Sequence, residues 1–148
     1  RFVVICDGIE DVHNLGSILR VAECAGADGV IIPKNKSAQV NGAVIRISEG
    51  AANHIAVARV PGINFAIDEL KKSGYWVYGL EADGENIYAT DLRGDIALVV
   101  GGENKGISRL TREKCDKILS LPLKGNVNSL NASVALGIAA YEAVRQRS

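Results

Sequence analysis

The 148-residue sequence is poor in the residues that form metal sites and disulfide frameworks. Its three cysteines, Cys6, Cys24 and Cys115, form no CxxC pair, and its two histidines, His13 and His54, lie far apart. Neither pattern is typical of a zinc site. We therefore expect no metal site and three free thiols, as in proteins of a reducing cytosol.

Long hydrophobic runs are also missing. A membrane-spanning helix needs about 20 consecutive apolar residues, and the sequence has no such run. A signal-peptide pattern is not visible either. The chain opens on Arg1 and enters the strand-like segment FVVIC directly. We therefore expect residues 1–148 to be one cytoplasmic domain taken from a longer protein, with no membrane partner.

The sequence has no excess of charge of either sign, since 17 basic residues balance 17 acidic ones. General polyanion binders usually carry a basic excess, so the net charge argues against that class. A local basic patch stays possible. The two candidate clusters, each of which also fits a solvated helix face, are Arg109, Arg112 and Lys114, and then Arg145 and Arg147.

What the sequence does contain is an alternation of short apolar runs and amphipathic segments. Strands without polar alternation, separated by helices, indicate a parallel sheet that is covered on both faces. The sequence therefore predicts an α/β domain with about six parallel strands. The expected strands are FVVIC, GVIIP, HIAVARV, YWVYGL, IALVVGG and KILSLPL, and the expected helices are NLGSILRVAECAG, SAQVNGAVIRISEGAA, INFAIDELKKSG and a last one from about Ser129 to Arg147.

Helix ends and loops follow from local chemistry. We expect Asn14 to cap the first helix and Asn128 or Ser129 to cap the last one, because short polar side chains favour that position. The segment EADGENIYATDLRG is polar and glycine-containing, which predicts a loop with a little extended structure. The last helix is recognised by apolar residues at helical spacing: Leu130, Val134, Ile138, Tyr141 and Val144.

Ligands of open α/β sheets bind beyond the carboxyl ends of the strands. The first strand is followed by DGIE rather than GxGxxG, which argues against a Rossmann dinucleotide site. After the fifth strand, Gly101 and Gly106 have the spacing of a phosphate-binding loop, but Ile107 stands where that loop needs lysine. Both common nucleotide motifs are therefore excluded.

Three strand ends nevertheless carry unusual polar chemistry. Glu103 lies in the glycine turn GGENKG, where a carboxylate either complements the helix that follows or contacts a ligand. Arg20 lies one turn after Gly16, which leaves room for a close backbone or ligand. The stretch GNVNSLNAS holds more capping side chains than one helix needs. Each feature alone is compatible with an ordinary surface.

Taken together, these segments are similar to a known family. NLGSILR resembles motif 1 of the SpoU (TrmH) class of methyltransferases, written Asn-x-Gly-x-x-x-Arg. VVGGENKGIS resembles motif 2, and LPLKGNVNSLNASVALGIAAYEA resembles motif 3. The segment Lys36–Gln39 and the ending YEAVRQRS are similar to the bacterial 23S rRNA guanosine 2′-O-methyltransferase branch. The resemblance covers the whole chain, with the motifs in the family's order.

The resemblance implies a SPOUT fold, in which a parallel α/β sheet carries a deep trefoil knot in its C-terminal loops. It also implies that S-adenosyl-L-methionine binds in the knot, mostly through backbone groups. Carried over to this sequence, the cofactor-binding residues are Gly79, Leu80, Gly101, Gly102, Glu103, Gly106, Leu121, Leu130 and Asn131.

For catalysis, the resemblance assigns Arg20 to the ribose hydroxyl and a neighbouring phosphate. Asn14, Glu103, Ser129 and Asn131 complete the expected catalytic set. A guanidinium has no hydrogen-bond acceptor and stays protonated in proteins. We therefore expect Arg20 to stabilise the developing alkoxide and to hold phosphate rather than to act as the general base.

The family also implies partners. Its members are homodimers with the RNA site at the interface, and this branch carries a small RNA-binding domain ahead of the catalytic one. The expected reaction is methyl transfer to a guanosine ribose of 23S rRNA. Two alternatives stay open: a tRNA-directed enzyme of the same class, and a non-catalytic RNA-binding or dimerisation module.

Overall fold

The computed structural model of the protein describes residues 1–103 and 105–148. In chain order, its strands and helices are β1 (Phe2–Asp7), α1 (Val12–Cys24), β2 (Gly29–Pro33), α2 (Gly42–Ile47), β3 (Val57–Val60), α3 (Ile63–Lys72), β4 (Trp76–Asn86), β5 (Ile96–Gly101), α4 (Arg109–Lys114), β6 (Lys117–Ser120) and α5 (Ala132–Arg147). Short 3₁₀ turns cover Ala51–Asn53 and Ile87–Ala89.

The six strands form one sheet in the order β3-β2-β1-β5-β4-β6, and every pair is parallel. β1 and β5 are central, with Phe2 opposite Ile96 and Asp7 opposite Gly101. Because the strands are parallel, the ends of β1, β4, β5 and β6 meet at one edge. The predicted parallel α/β architecture is confirmed.

Both faces of the sheet are buried. On one face α1 and α5 pack over the strands, with Leu19 and Leu136 fully buried. On the other face α3 packs with Ile67 against Ile5 and Val99. Neighbouring β1 residues point to opposite sides, so the apolar strand runs are explained by burial on both faces.

The first helix begins earlier than the sequence predicted. Asp11 is its N-cap and accepts a hydrogen bond from the backbone N–H of His13. The prediction that Asn14 caps α1 is therefore wrong, because a carboxylate three residues earlier already fills that role. Asn14 lies inside the helix and is buried, so its amide is free to bind another part of the chain.

Three other boundaries also differ from the sequence prediction. The second helix covers only Gly42–Ile47, with Asn41 as its cap. The segment after YWVYGL has more extended structure than predicted: β4 continues to Asn86, because it pairs with β6 beyond a register shift between Leu80 and Glu85. The last helix begins at Ala132. Asn128 and Ser129 are thus not its cap.

The apolar stripe that identified the last helix faces outward. Val134, Ile138 and Tyr141 are 50%, 38% and 50% exposed, whereas Ala139 and Ala143 are fully buried. The spacing correctly predicts a helix, but its buried face is formed by Leu136 and the small alanines, and the larger residues of the predicted stripe stay exposed. Alanine allows the close approach between α5 and α1.

Among the helices in the described part of the chain, none is long and apolar enough to span a bilayer. Within residues 1–103 and 105–148, no group of three or more histidine, cysteine and carboxylate side chains is arranged to hold a metal ion.

Candidate active site

A cavity of about 690 Å³ lies at the carboxyl edge of the sheet. Its walls are the end of β4, the glycine turn after β5 and the segment between β6 and α5. One wall is rich in leucine and alanine, and the other carries amides, a hydroxyl and carboxylates. Its lining residues are Leu80, Glu81, Ala82, Val100, Gly101, Gly102, Glu103, Lys105, Gly106, Leu119, Leu121, Leu123, Asn128, Ser129, Leu130, Asn131, Ala132 and Ala135.

Nearly all residues that the resemblance assigned to the cofactor line this cavity. They are Leu80, Gly101, Gly102, Glu103, Gly106, Leu121, Leu130 and Asn131. Gly79 is not among the lining residues. A Cβ at Gly79 would lie 2.9 Å from the Cδ1 atoms of Ile107 and Ile118, so its side-chain face is packed against the core.

Asn14, Glu103 and Asn131 meet at one end of the cavity. Asn14 Nδ2 donates to Glu103 Oε1 at 3.2 Å, and Asn131 Nδ2 donates to the same oxygen at 2.7 Å. Asn131 Nδ2 also lies 3.0 Å from Asn14 Oδ1. One carboxylate oxygen is thereby held by two amides, and three distant parts of the chain are joined.

Asn131 has a second task, because it is the N-cap of α5. Its Oδ1 accepts hydrogen bonds from the backbone N–H groups of Ser133 and Val134, at 2.9 and 3.3 Å. The oxygen of the amide thus faces the helix and the nitrogen faces Glu103. The cap fixes the direction of the donor that reaches the carboxylate.

Glu103 does not complement the helix that follows it. That helix, α4, begins at Arg109, beyond the reach of a first-turn contact. Asp7 takes this place instead, because its Oδ2 accepts a hydrogen bond from the backbone N–H of Ser108 at 2.7 Å. The helix interpretation of Glu103 is therefore wrong, and its contact with a ligand stays a prediction.

Glu81 was missed by the sequence analysis, although it directly follows the predicted fourth strand. Its carboxylate lines the cavity, and a Cβ on Gly106 would lie 2.8 Å from its Oε2. Arg112 on α4 donates to Glu81 Oε1 at 3.4 Å and to both oxygens of Asp83. The hydrogen bond from Arg112 lowers the pKa of Asp83. This ion-pair group fastens the end of β4 beside the glycine turn.

The two remaining members of the expected catalytic set lie apart from the Glu103 cluster. Ser129 lines the cavity and is exposed. Arg20 is exposed on α1, six residues after Asn14, and helical geometry puts its Cα roughly 10 Å from that of Asn14, on another face. Arg20 does not line the cavity. Its role at the reacting hydroxyl stays a prediction.

Gly16 lies on the same side of α1 as Arg20 and packs against α2. A Cβ at Gly16 would lie 2.6 Å from Cγ2 of Ile47. The glycine therefore serves the close packing of α1 against α2, which is the close-backbone alternative that the sequence left open. Arg20 emerges one turn further along the same side of the helix.

The two basic clusters are largely neutralised. Arg109 pairs with Glu113, Arg112 with Asp83 and Lys114 with Asp68. In the second cluster, Arg145 pairs with the buried Glu142. Arg147 donates to the carbonyls of Leu92 and Gly94. Neither cluster is a free patch for a polyanion.

Comparison with known proteins identifies the family of this chain. The model of the SpoU rRNA methylase family matches residues 1–141. The 23S rRNA (guanosine-2′-O-)-methyltransferase RlmB of Xanthomonas campestris is 49% identical over 146 residues, which is 98% of this chain and 59% of that protein. The chain thus spans less than two thirds of the length of this curated relative.

Solved structures give the same result. The SpoU methyltransferase AviRb from Streptomyces viridochromogenes, in complex with the cofactor AdoMet, is similar with a TM-score of 0.90 and 30% identity over 99% of this chain and 60% of that one. The A. aeolicus TrmH/SpoU tRNA modifying enzyme is similar with a TM-score of 0.90 and 29% identity, over 99% and 75%. With its motifs, its fold and its family match in agreement, this chain belongs to the SpoU rRNA methylase family.

Proposed function

We propose that the protein transfers a methyl group from S-adenosyl-L-methionine to a ribose 2′-hydroxyl of RNA, most specifically a guanosine of 23S rRNA. The observation that carries this proposal is the junction of Asn14, Glu103 and Asn131, two of which line a cofactor-sized cavity. Similarity to an RlmB enzyme supports the choice of substrate. The intact junction argues against a non-catalytic module.

The residues of the cavity fit this cofactor. Cofactor sites usually enclose about 300–1,000 Å³ and combine an apolar wall with a few polar groups, and this cavity has about 690 Å³. Leu80, Leu121 and Leu130 provide an apolar place for a purine ring. Glu103 and Glu81 provide negative charge for the sulfonium and ammonium groups.

The glycines of the turn also suit a ligand held by backbone groups. Gly102 and Gly106 line the cavity without side chains, and Gly106 has a φ of +65°. Side chains rarely adopt that conformation, so glycine is required for a turn this tight. The backbone N–H groups of Gly102 and Gly106 already donate to the carbonyls of Asp7 and Gly102, at 3.0 and 2.8 Å, so the turn offers a ligand its backbone carbonyls rather than these donors.

When bound, S-adenosyl-L-methionine supplies an activated methyl group, so the protein has to position the nucleophile. Oriented reactants gain roughly 7–11 kcal/mol in the best cases. The two amides hold Glu103 Oε1 in one place. We propose that Ser129 and Asn131 face the ribose and hold its hydroxyl in line with the methyl group.

Arg20 has an electrostatic role in this proposal. Its guanidinium stabilises the negative charge that grows on the ribose oxygen and binds the adjacent phosphate with two hydrogen bonds. Because it lies on a different face of α1 from Asn14, we propose that the complete site forms where two protomers meet.

The exposed stripe on α5 supports a homodimer. Leu130, Val134, Ile138 and Tyr141 together expose a large apolar surface next to the cavity, and such surfaces mark interfaces. Sedimentation of the purified chain should give twice the monomer mass. Ile138→Glu should give monomers, and Phe65→Glu, on an exposed apolar residue of α3, should not.

We also propose that residues 1–148 are the catalytic domain of a longer enzyme with a separate RNA-binding domain, and that the segment after β6 passes through a trefoil knot. The match covers only 59% of the RlmB protein of Xanthomonas campestris, which supports the first point. The return of the chain from the edge strand β6 to α5, which packs on α1 and β5, supports the second. An experimental trace through residues 101–131 would decide whether the chain is knotted.

The activity is tested with radioactive methyl transfer. The chain is incubated with S-adenosyl-L-methionine labelled in the methyl group and with either unmodified 23S rRNA or tRNA. The proposal expects label in 23S rRNA that leaves an alkali-resistant phosphodiester, as 2′-O-methylation does. Label in tRNA alone would favour the tRNA-directed alternative. A chain that gains no thermal stability at saturating cofactor would contradict the proposal and favour the module.

A further inference from the structure

The loop between β2 and α2 holds two lysines at the same edge of the sheet as the cavity. Residues 34–41, here called the lysine loop, begin directly after the end of β2. Lys34 and Lys36 are both exposed. Among residues 1–103 and 105–148, neither makes an ion pair, and the same holds for Lys105 and Lys124. The other lysines, Lys71, Lys72, Lys114 and Lys117, each pair with a carboxylate.

The lysine loop is held against the site rather than standing free. The backbone N–H of Ala38 donates to the carbonyl of Ile9 at 2.8 Å, and Ser37 Oγ lies 3.4 Å from the same oxygen. Ile9 follows Gly8, whose carbonyl is so close to Gly102 that a Cβ there would overlap it. Gly102 directly precedes Glu103, so only one short segment separates the loop from the turn that carries this carboxylate.

The lysine loop has two energetically unfavourable features. Lys36 has a φ of +54°, in the left-handed region that non-glycine residues rarely occupy. Gln39 Nε2 donates to the carbonyls of Pro33, Lys34 and Ser37. Its Oε1 is buried without a hydrogen-bond partner in the described part of the chain. Unfavourable features of this kind persist where the surrounding structure and its function require them.

The cationic surface extends onto α2. A Cβ at Gly42 would lie 3.4 Å from Arg46 Nη1, so the guanidinium is folded back toward the start of the helix, beside the end of the loop. The acids that follow Ile9 in the sequence are Glu10 and Asp11, and Asp11 accepts a hydrogen bond from the backbone N–H of His13. Within the described residues, two ammonium groups without an ion pair thus lie on the loop, and a guanidinium lies beside its end.

We propose that the lysine loop binds the phosphates of the RNA strand that flank the methylated ribose. This inference rests on the proposed function. Lysine ammonium groups act as point charges toward phosphate and carry no base preference. The loop therefore sets where the strand lies along the edge of the sheet, and the nucleotide that enters the cavity is chosen elsewhere.

The salt dependence of RNA binding tests this proposal. Lys34→Gln with Lys36→Asn removes both charges, and asparagine tolerates the left-handed conformation at position 36. Lys72→Gln with Lys117→Gln removes the same charge from the far side of the sheet and serves as the control. Binding of a labelled single-stranded RNA is measured by fluorescence anisotropy at several salt concentrations.

For a single strand, each phosphate contact contributes about 0.7 to the slope of log association constant against log salt concentration. The loop variant lacks two such contacts, so the magnitude of its slope should be smaller by about 1.4. The control variant should keep the slope of the unmodified chain. An unchanged slope in the loop variant, an equal loss in the control, or a chain that does not bind RNA would each overturn the proposal.

Cofactor binding separates this proposal from the proposed function. Calorimetry with S-adenosyl-L-methionine should give the same affinity for the unmodified chain and both variants, and thermal melting should show that all three are folded. If the unmodified chain does not bind S-adenosyl-L-methionine, the proposed methyltransferase function is contradicted, whatever the salt dependence of RNA binding is. If cofactor binding and methyl transfer are normal but the loop variant keeps the salt slope of the unmodified chain, only the proposed phosphate binding by the lysine loop is contradicted.

Discussion

Asn131 Nδ2 lies 2.7 Å from Glu103 Oε1, while Oδ1 of the same amide caps α5. One side chain thereby sets the start of a helix and the position of a carboxylate in the glycine turn. Both ends of the amide are used, so its orientation is determined by its partners.

Substitution of Asn131 can separate these two roles. Asn131→Ala removes the cap and the donor, and it should lower the free energy of unfolding by about 1 kcal/mol. Asn131→Asp keeps the cap acceptor but brings a second carboxylate to Glu103. Both variants should bind S-adenosyl-L-methionine more weakly in calorimetry, and only the alanine variant should lose cap stability in urea unfolding. Unchanged cofactor affinity and activity in both would refute the placement of Asn131 at the site.

Arg20→Ala should lose methyl transfer and keep cofactor affinity. Removal of a group that stabilises developing charge commonly costs about 10²–10³-fold in kcat, and Arg20 does not line the cavity. Label transfer and calorimetry measure the two effects separately. Arg109→Ala, whose side chain is 94% exposed and pairs with Glu113, is the matched control. Near-normal turnover of the Arg20 variant would exclude its assigned role.

Two helix glycines should respond in opposite directions to alanine. At Gly16 a Cβ would lie 2.6 Å from Ile47, and overpacking of this kind costs about 1–3 kcal/mol. At Gly137 a Cβ would meet the methyl groups of Val21 at an ordinary 3.8 Å, and alanine gains about 0.5–1 kcal/mol over glycine inside a helix. Urea unfolding should therefore show Gly16→Ala destabilised and Gly137→Ala stabilised. Equal effects would mean that α1 and α2 are not tightly packed.

Glu142 should make stability depend on acid pH. Hydrogen bonds from Arg145, and then from Gln146, lower the pKa of Glu142 from 4.5 to about 2. Since the folded-state pKa is depressed, its stabilisation is complete above about pH 4.5 and is lost as the pH falls toward 2. Glu142→Gln should be less stable than the unmodified chain at pH 7 and should lose less stability between pH 5 and pH 2.5. If the free energies of unfolding of both proteins fall in parallel over this pH range, the ion pair between Glu142 and Arg145 does not stabilise the folded chain.

The sequence predicts the architecture well because strands buried on both faces have a distinct composition. The apolar runs identify all six strands, and β1 and β5 lie at the centre as continuous hydrophobic segments. The boundaries that were wrong depend on distant partners. β4 extends to Asn86 only because β6 lies beside it, and no local pattern in EADGEN shows that pairing.

The candidate site was predictable as a set of segments and not as a set of contacts. The three motifs named Asn14, Glu103 and Asn131, but capping rules placed Asn14 at a helix start because they take no account of tertiary partners. Glu81 was missed because a single carboxylate after a strand has no signature. Its relation to Arg112 exists only in three dimensions.

The contact between Asn14 and Asn131 joins residues 117 positions apart. A contact this distant closes a long loop, which costs chain entropy, so it needs the rest of the fold to hold it. A nascent or unfolded chain therefore has no place for the cofactor, and ligand binding is coupled to completion of the fold. Cofactor supply should then raise the thermal stability of the protein in proportion to the logarithm of the ligand concentration above Kd, so that its persistence in a cell follows the methyl-donor supply.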